Sequence, residues 1–326
     1  MIVSRTPVRV PIGGGGTDLP FFQSRFGSSL ITSAINKYIY INVNKRFEKS
    51  IRLSYSKTEI VDSIDDLKHD RVRESLRLLN IKNAIEISTT ADIPASTGMG
   101  TSSSFLVGLL NALHAYKREY VPTKILAEEA AKIEIDILKE PIGKQDHYAA
   151  AYGGIMHLSI NKDGKVIVSP LNISELIMHE LEENLFMFFT GILRNTTEVL
   201  RKQKDEVERD EKKIKNMMEI KKIGEEIKKA LESGNCRRFG EWLNIHWETK
   251  KNLANVMSNP EIDRWYELAM KNGAIGGKIM GAGGGGFFIF YCDKNKNDFV
   301  SKVEENGLRR VPFRFDFDGS KIVFNA

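Results

Sequence analysis

The 326-residue chain has few cysteines, no long apolar run and no strong excess of either charge. Its only cysteines, Cys236 and Cys292, are too few for a disulfide framework and lack the CxxC spacing of a redox or zinc site. No stretch approaches the roughly 18 to 20 apolar residues of a membrane span, and residues 1–11 do not form the apolar core of a signal peptide. We therefore expect a cytoplasmic protein that does not enter a membrane.

The two kinds of charge are nearly balanced. Lys and Arg number 48 against 43 Asp and Glu, which gives a formal net charge of +5. An excess this small over such a length does not indicate a nucleic-acid-binding surface, although it suits an anionic small substrate. No two histidines stand at the HxxxH spacing, so a zinc site made of protein ligands alone is not expected. The expected partner is a small molecule, and both a monomer and a homodimer remain open.

Hydrophobic periodicity predicts alternating strands and helices in the first half. β-branched residues in alternating segments predict strands at 2–3, 8–10, 39–43 and 85–88. Helical spacing is found over 72–79 and in two stretches after residue 101, the second of which ends before Pro141. The Asp163-Gly164 turn predicts a hairpin over 153–169.

A new apolar run at 185–189 indicates a domain boundary near residue 180, which divides the chain into 1–180 and 181–326. Charges of both signs mix from 198 to 232, a pattern typical of a solvated helix face. Further predicted elements are helices at 237–256, 261–272 and 298–305, a strand at 287–292 and two final strands. Strands and helices occur in both halves, so the predicted fold class is α+β.

Four consecutive glycines, Gly13–Gly16, form the first of three loops that indicate function. Glycine lacks the Cβ that blocks close approach, and it permits positive φ. A flexible turn would also use glycine, but the charges of Arg9 and Asp18 on either side favour a binding loop. The candidates for binding substrate here are Gly15, Gly16, Thr17 and Asp18.

The second loop, Pro94–Ser104, runs directly into the apolar helix that begins with Phe105. A helix start offers free N–H groups and partial positive charge, and glycines let the backbone wrap around an anion. One serine would suffice to cap the helix, so four consecutive hydroxyl residues favour a phosphate-binding loop. The candidates for binding ATP are Pro94, Gly98, Met99, Gly100, Thr101, Ser102, Ser103 and Ser104.

The third loop, Gly281–Phe287, formally satisfies GxGxxG, but its strand comes after the glycines instead of before them. That order excludes a dinucleotide-binding fold, and Gly277-Lys278 lacks the Ser or Thr of a P-loop. A fourth segment places Asp146 in a glycine-containing turn before a run of small residues. An aspartate in a turn is usually a cap, and pointing into a cleft is the alternative.

Taken together, the three loops resemble the motifs of the GHMP small-molecule kinases, named for galactokinase, homoserine kinase, mevalonate kinase and phosphomevalonate kinase. The resemblance runs from Arg5 to Phe290, and Pro-x3-Gly-x-Gly-Thr-Ser-Ser at 94–103 is its most specific part. It implies an N-terminal domain similar to ribosomal protein S5 domain 2 and a ferredoxin-like C-terminal domain, with the active site between them. It also implies ATP and Mg²⁺ as cofactors.

The same resemblance implies roles by motif position. Asp146 corresponds to the catalytic aspartate of the family and Arg9 to the basic residue that pairs with it. Ser102 and Glu134 correspond to the Mg²⁺ ligands, although Glu134 and Asp146 lie one residue further apart than in mevalonate kinases. In the third loop, the implied substrate-binding residues are Gly281, Gly283 and Gly284.

Within the family, segments 5–18, 143–154 and 281–287 resemble the D-glycero-D-manno-heptose 7-phosphate kinases. Gly15 and Gly16 stand where galactokinases have a Glu-His pair, which leaves room for a different sugar. The resemblance implies phosphorylation of the anomeric O1 of the sugar phosphate to the 1,7-bisphosphate. Candidates for the distal phosphate are Arg5, Arg25, Lys144 and Arg194. The alternatives are an L-fucose kinase-like enzyme, a non-catalytic sugar- or ATP-binding regulator and an RNA-binding protein.

Overall fold

Strands from both ends of the chain meet in one of two β-sheets. A computed structural model describes residues 1–326. The strands are β1 (Ile2–Gly13), β2 (Ser28–Lys45), β3 (Ile51–Ser54), β4 (Thr58–Val61), β5 (Ile85–Ala91), β6 (Ile155–Ile160), β7 (Val166–Pro170), β8 (Leu185–Phe189), β9 (Gly276–Ile279), β10 (Phe287–Tyr291), β11 (Arg309–Arg310) and β12 (Lys321–Asn325). The helices are α1 (Pro20–Phe26), α2 (Asp70–Leu78), α3 (Thr101–Tyr116), α4 (Thr123–Ala131), α5 (Gln145–Tyr152), α6 (Glu175–Asn184), α7 (Thr196–Glu208), α8 (Glu211–Glu232), α9 (Cys236–Lys251), α10 (Pro260–Lys271) and α11 (Lys296–Glu305).

The first sheet is built around the long strand β2. Its path runs β12-β1-β2-β5-β3-β4, and β6 pairs with both β2 and β7. The first part of β2 pairs with β6 and the last part with β5, so one strand joins the two arms of the sheet. Helices α3 and α8 both pack against β1 and β2. The second half of β1 is therefore buried without the alternation of a one-sided strand.

The second sheet is a four-stranded antiparallel sheet in the order β11-β8-β10-β9. Its register places Phe188 directly opposite Phe288, and both side chains are fully buried. Trp247 of α9 and Phe299 of α11 belong to the same apolar cluster. Cross-strand aromatic pairs and the helices laid over them stabilise this face of the sheet as a second core. The opposite face, with Met187 and Ile289, belongs to the large first core that also contains the first sheet.

The predicted division into 1–180 and 181–326 stays a prediction, and two features of the fold cross it. The sheets change between Pro170 and Leu185. However, β12 returns to pair with β1, and α8 packs against β1 and β2. The second half of the chain is thus attached to the first sheet by strand pairing and by helix packing.

The charged segment 198–232 is two helices and not one. The chain breaks at Arg209, and the Asp210 side chain accepts from the N–H groups of Lys212 and Lys213 to begin α8. This helix is also more than a solvated face, because its apolar stripe includes the buried residues Ile223 and Ile227. The mixed charges cover only the outer face.

The structure can be examined for membrane-spanning helices and for the state of the two cysteines. No helix is long and apolar enough to cross a bilayer. Cys236 and Cys292 are unpaired and buried. Burial raises the pKa of the Cys236 thiol to about 12, so this group is protonated and unreactive at neutral pH.

Gly108 allows α3 to lie close to β1, and this contact can be tested. A Cβ at position 108 would lie 2.6 Å from Oγ1 of Thr6, and Ser4 Oγ donates to the Gly108 carbonyl at 2.8 Å. We expect Gly108→Val to lower the free energy of unfolding by about 1 to 3 kcal/mol, as overpacking does, measured by urea denaturation. Ala115→Val, at a half-buried position on the same helix, is the control. A Gly108→Val midpoint equal to that of the wild type would contradict the close packing.

Candidate active site

The three glycine-rich loops meet at one large cavity. Its volume is about 1140 Å³, and its lining comes from both halves of the chain. Arg9 at β1 and Ser102 at the start of α3 face residues such as Arg194 and Lys278 from the second sheet and its loops. Ligand pockets typically measure a few hundred to about 1,000 Å³, so this cavity can hold a nucleotide and a small acceptor together.

Arg9 and Asp146, which both line this cavity, form a two-pronged ion pair. Arg9 Nε and Nη2 donate to the two carboxylate oxygens of Asp146 at 2.7 and 2.8 Å. The remaining guanidinium nitrogen, Nη1, donates to the Gly98 carbonyl at 2.7 Å. The Arg9 side chain is 7% exposed, whereas that of Asp146 is 23% exposed. Arg9 therefore holds Asp146 in place while the carboxylate still faces the cavity.

The second loop presents backbone donors to the cavity. Gly98 and Gly100 adopt φ of +77° and +71°, a region that favours glycine. Gly100 is the N-cap of α3, and no side chain caps this helix. The first N–H groups, those of Thr101, Ser102 and Ser103, thus lack helical partners, and all three residues line the cavity. This helix start is built to receive an anion.

Glu134 is a fully buried carboxylate beside that helix start. It accepts hydrogen bonds from the hydroxyls of Ser102 and Ser103 at 2.5 and 2.6 Å, and from Arg71 Nε and His147 Nε2 at 2.7 Å each. Burial raises its pKa, but the hydrogen bond and charge of His147 and the charge of Arg71 outweigh burial and hold the pKa well below its usual range. Glu134 is therefore ionised at neutral pH.

Ser102 and Glu134 fit the role of Mg²⁺ ligands that the resemblance implied. No cluster of three or more His, Cys, Asp or Glu residues could hold a metal alone. Mg²⁺ normally takes one or two protein oxygens and completes its shell with phosphates and water, so a serine hydroxyl beside an ionised carboxylate suffices. Arg71 Nε donates to the same Glu134 oxygen as the Ser102 hydroxyl does. Arg71 also pairs with Glu140 at 3.1 Å, so it would keep an acidic partner if Mg²⁺ took its place at Glu134.

The first loop brings a second carboxylate, Asp18, next to Asp146. Asp18 is 7% exposed and accepts a hydrogen bond from the Gln145 backbone N–H at 3.0 Å. Gly143 lies against this carboxylate, where any side chain would collide with it. Burial raises the pKa of Asp18, the Gln145 hydrogen bond lowers it, and the negative charge of Asp146 raises it further, with a net increase. Asp18 is thus more easily protonated than an exposed aspartate.

Most of the predicted site residues line this cavity. They are Arg9, Gly15, Gly16, Asp18, Gly98, Gly100, Thr101, Ser102, Ser103, Glu134, Asp146 and Gly281. The others lie outside it, namely Pro94, Met99, Ser104, Thr17, Gly283 and Gly284.

These residues outside the cavity have other contacts. Met99 and Ser104 are fully buried in the protein, and Thr17 Oγ1 is hydrogen-bonded to the Gly14 carbonyl and to Ser28. Pro94 is exposed. The Gly284 N–H donates to the Met257 carbonyl, so this part of the third loop is packed against residues 256–257. Each of the three loops contributes residues to the cavity lining, but the sequence pattern did not show which of their residues face it.

Of the four cations predicted for a distal phosphate, only Arg194 lines the cavity. Arg5 pairs with Asp318 at 2.7 Å, Lys144 pairs with Glu128 at 2.7 Å, and Arg25 lies over the ring of Phe26. Charge alone could not separate them, because each of the other three contacts a partner outside the cavity.

Three further polar residues of the cavity were missed from the sequence: His246 and Lys250 on α9, and Lys278 on β9. Their side chains are 0%, 6% and 2% exposed. Lys278 could have been identified from the sequence, because it lies between glycines and Ile279 in the short strand β9. A lysine in a buried strand is rare unless it has a partner or binds a ligand. Lys250 gave none, since Lys251 follows it on a helix rich in charge.

Comparison with known proteins identifies the family of the chain. Residues 68–154 match the family described as GHMP kinases N terminal domain, and residues 227–307 match GHMP kinases C terminal. The D-glycero-alpha-D-manno-heptose 7-phosphate kinase of Campylobacter jejuni is 31% identical, over 98% of this chain and 98% of that protein. A galactokinase of Pyrococcus furiosus is 23% identical, over 90% of each chain.

Solved structures show the same architecture. The crystal structure of a D-glycero-D-manno-heptose 1-phosphate kinase from Bacteroides thetaiotaomicron superposes with a TM-score of 0.84 and 25% identity, and the match covers 100% of both chains. A mevalonate kinase of Methanococcus jannaschii has a TM-score of 0.75 and 22% identity, over 96% of this chain and 98% of that one, which shows the shared fold. The chain belongs to the GHMP kinase family: it has the family's two-part α+β fold and is an ATP-dependent phosphotransferase that acts on a hydroxyl acceptor.

Proposed function

We propose that this kinase transfers the γ-phosphoryl group of ATP to the anomeric O1 of D-glycero-D-manno-heptose 7-phosphate, giving the 1,7-bisphosphate for nucleotide-activated heptose synthesis. The observation that carries the proposal is the joining of two anion-binding features in one cavity. One is the start of α3, and the other is a set of basic side chains without acidic partners, namely the half-buried Arg194 and the buried Lys250 and Lys278. A nucleotide and a phosphorylated acceptor together require two such features.

The relatives support a heptose acceptor but differ in the position of its phosphate. The Campylobacter jejuni protein is named as a kinase of the 7-phosphate, whereas the Bacteroides thetaiotaomicron protein is named as a 1-phosphate kinase. The 7-phosphate is favoured as the acceptor because O1 is then free to be phosphorylated. Gly15 and Gly16 add no side chains to the acceptor side of the cavity, which leaves space for a seven-carbon sugar.

The nucleotide phosphates would lie at the start of α3. The N–H groups of Thr101, Ser102 and Ser103 and the positive end of the helix hold negative charge there without rearrangement during the reaction. Phosphoryl transfer depends chiefly on positioning and electrostatic stabilisation, so these fixed donors supply much of the catalysis. Arg9, bound to the Gly98 carbonyl, places a further positive charge beside this loop.

Asp146 would act on the acceptor hydroxyl. As the sugar O1 forms its bond to the γ-phosphorus and the bond to the leaving ADP oxygen breaks, the hydroxyl proton passes to the Asp146 carboxylate. The Arg9 fork fixes the orientation of this carboxylate and leaves it 23% exposed to the cavity. An anomeric hydroxyl is more acidic than an ordinary alcohol, so a weak base suffices, and orienting the acceptor is the second part of the role.

Ser102 and Glu134 would hold Mg²⁺ against the nucleotide phosphates. When bound, the ion supplies positive charge that neutralises the phosphate oxygens. In the protein, Arg71 and His147 keep the Glu134 carboxylate ionised and in position for this contact.

A panel of acceptors tests the proposed substrate. Mg²⁺-dependent ADP release from ATP is measured with D-glycero-D-manno-heptose 7-phosphate, the unphosphorylated heptose, heptose 1-phosphate, L-fucose, galactose and mevalonate. We expect kcat/KM for the 7-phosphate to exceed that for every other acceptor by about 100-fold or more. One or two charged contacts to the phosphate group account for a difference of this size. A preference for L-fucose would favour the fucose kinase alternative. Binding of ATP without turnover of any acceptor would favour a non-catalytic regulator.

A pair of serine variants on α3 tests the Mg²⁺ site. Ser102 lies beside Glu134 in the cavity, whereas Ser104, two residues on, is buried with a hydroxyl that has no partner in the protein. We expect Ser102→Ala to raise the Mg²⁺ concentration for half-maximal activity by roughly 10-fold or more. The control Ser104→Ala should leave it unchanged, because it removes a hydroxyl that bonds to nothing. Equal Mg²⁺ dependence in the two variants would count against Ser102 as a ligand.

A further inference from the structure

We propose that Arg194, Lys250 and Lys278, with His246, form a pocket that binds the phosphate group carried by the acceptor before transfer. These four residues are called the cation pocket below. The inference rests on the proposed function of the same cavity and extends it, because it assigns the residues that distinguish a phosphorylated sugar from a neutral one.

Secondary structure brings the four side chains together. His246 and Lys250 are one helical turn apart on α9 and therefore share one face of this helix. Helix α9 packs against β9, where Lys278 points away from the second core that buries its neighbour Ile279. Arg194 comes from the loop between β8 and α7. All four residues line the active-site cavity from the second half of the chain.

The cation pocket has no internal anion. The other cations of the cavity are neutralised, Arg9 by Asp146 at 2.7 Å, and Arg71 by Glu134 at 2.7 Å. In contrast, Arg194, Lys250 and Lys278 each lack a carboxylate within ion-pair distance, although Lys250 and Lys278 are more than nine-tenths buried. A basic group enclosed in the protein normally has an acidic partner, so three basic side chains without one at the same place indicate an anionic ligand.

The hydrogen-bond donors of the pocket are also unused. Arg194 Nη2 donates to the Met280 carbonyl at 3.1 Å, but its Nε and Nη1 have no partner in the protein. Neither ring nitrogen of His246 has a partner, and this side chain is fully buried. Lys250 Nζ donates to the Gly281 carbonyl at 2.5 Å and has two further hydrogens. A phosphate group offers the several acceptor oxygens that these donors lack.

Burial, followed by repulsion from neighbouring positive charges, lowers the pKa values of the basic groups in the pocket. Burial, followed by the charges of Arg194 and Arg9, lowers the pKa of Lys250 to about 7. Burial, followed by the charges of Lys250 and Arg9, lowers the pKa of Lys278 well below its usual value. Burial and Arg9 lower the pKa of Arg194 to about 10. A bound dianion would reverse these effects, because it stabilises every protonated form.

The pocket lies on the acceptor side of the cavity. Lys250 is held beneath the third loop by the Gly281 carbonyl, and the Asp18 charge of the first loop acts on it. Asp18 is bonded to the first residue of α5, the helix that carries Asp146. The nucleotide phosphates have their own donors at the start of α3, in the first half of the chain. Arg194 lies against Gly98 of the second loop, whereas Lys250 and Lys278 line the cavity from α9 and β9 and provide a separate anion site that suits the phosphate of the acceptor.

A matched pair of lysine variants tests the inference by kinetics. Lys250→Met removes a charge of the pocket at similar volume, and the control Lys251→Met removes the neighbouring charge, which pairs with Glu248 outside the cavity. The quantity measured is the ratio of kcat/KM for heptose 7-phosphate to kcat/KM for the unphosphorylated heptose. We expect Lys250→Met to lower this ratio by about 30-fold or more, and Lys251→Met to leave it unchanged. If the ratio is unchanged in Lys250→Met, the pocket does not bind the acceptor phosphate. The same conclusion follows if the only effect is an increase in the KM for ATP that is equal with the two acceptors.

A binding measurement separates failure of this inference from failure of the proposed function. Inorganic phosphate is titrated at pH 7 against the wild type and both variants, without nucleotide, and the Tm is recorded. We expect phosphate to raise the Tm of the wild type and Lys251→Met, and to raise that of Lys250→Met much less, because a ligand of the folded state alone stabilises it. This result supports the pocket even if no heptose is phosphorylated. The same Tm rise in all three proteins would overturn the pocket.

Loss of folding cannot mimic these results. In the ligand-free protein, a buried ammonium group without an acidic partner lowers stability, and Lys250→Met removes it. The variant also loses the hydrogen bond to the Gly281 carbonyl. We therefore expect its Tm to lie below that of the wild type by no more than the loss of one hydrogen bond causes. Lys278→Met provides the second variant, with the same expected fall in the substrate ratio. If Lys278→Met also leaves the ratio unchanged, neither lysine of the cation pocket binds the acceptor phosphate.

Discussion

One guanidinium group holds the site together. Arg9, on the long first strand, donates two hydrogen bonds to Asp146 and a third to the Gly98 carbonyl. It thereby fixes the acceptor-facing carboxylate relative to the phosphate-binding loop. A lysine could not make these three bonds at once, because only the planar guanidinium offers several donors in fixed directions. The strand that carries Arg9 lies inside the first sheet and is covered by helices, so this geometry is anchored in the core.

The glycine-rich third loop depends on the same kind of close approach. A Cβ at position 281 would lie 2.5 Å from the Gly98 carbonyl oxygen, and one at position 286 would lie 2.5 Å from Arg194 Nη1. These glycines let the second and third loops touch and leave room for the Arg194 guanidinium between them. The third loop therefore serves mainly to join the phosphate-binding loop to the cation pocket, because it contacts both.

The sequence predicted the fold class, the order of most elements and the three loops, because those features depend on local patterns such as period, glycine and helix capping. It did not predict the break at Arg209, which depends on the Asp210 side chain capping α8. It also missed Lys250 and His246. It gave Arg5, Arg25, Lys144 and Arg194 as equal candidates for the distal phosphate, although only Arg194 lines the cavity. Arg5 and Lys144 are paired with carboxylates that are distant in sequence, Asp318 and Glu128, and no local pattern encodes those contacts.

The most direct test of the account is the turnover of Asp146→Asn. This variant keeps the shape of the side chain, but the amide cannot take the acceptor proton or match both donors of Arg9. We expect kcat to fall by about 100-fold or more, with the KM for ATP unchanged because the nucleotide loop is intact. Asp136→Asn, the same change at an exposed position outside the cavity, is the control and should behave as the wild type. Wild-type turnover of Asp146→Asn would contradict the claim that the carboxylate held by Arg9 acts on the acceptor.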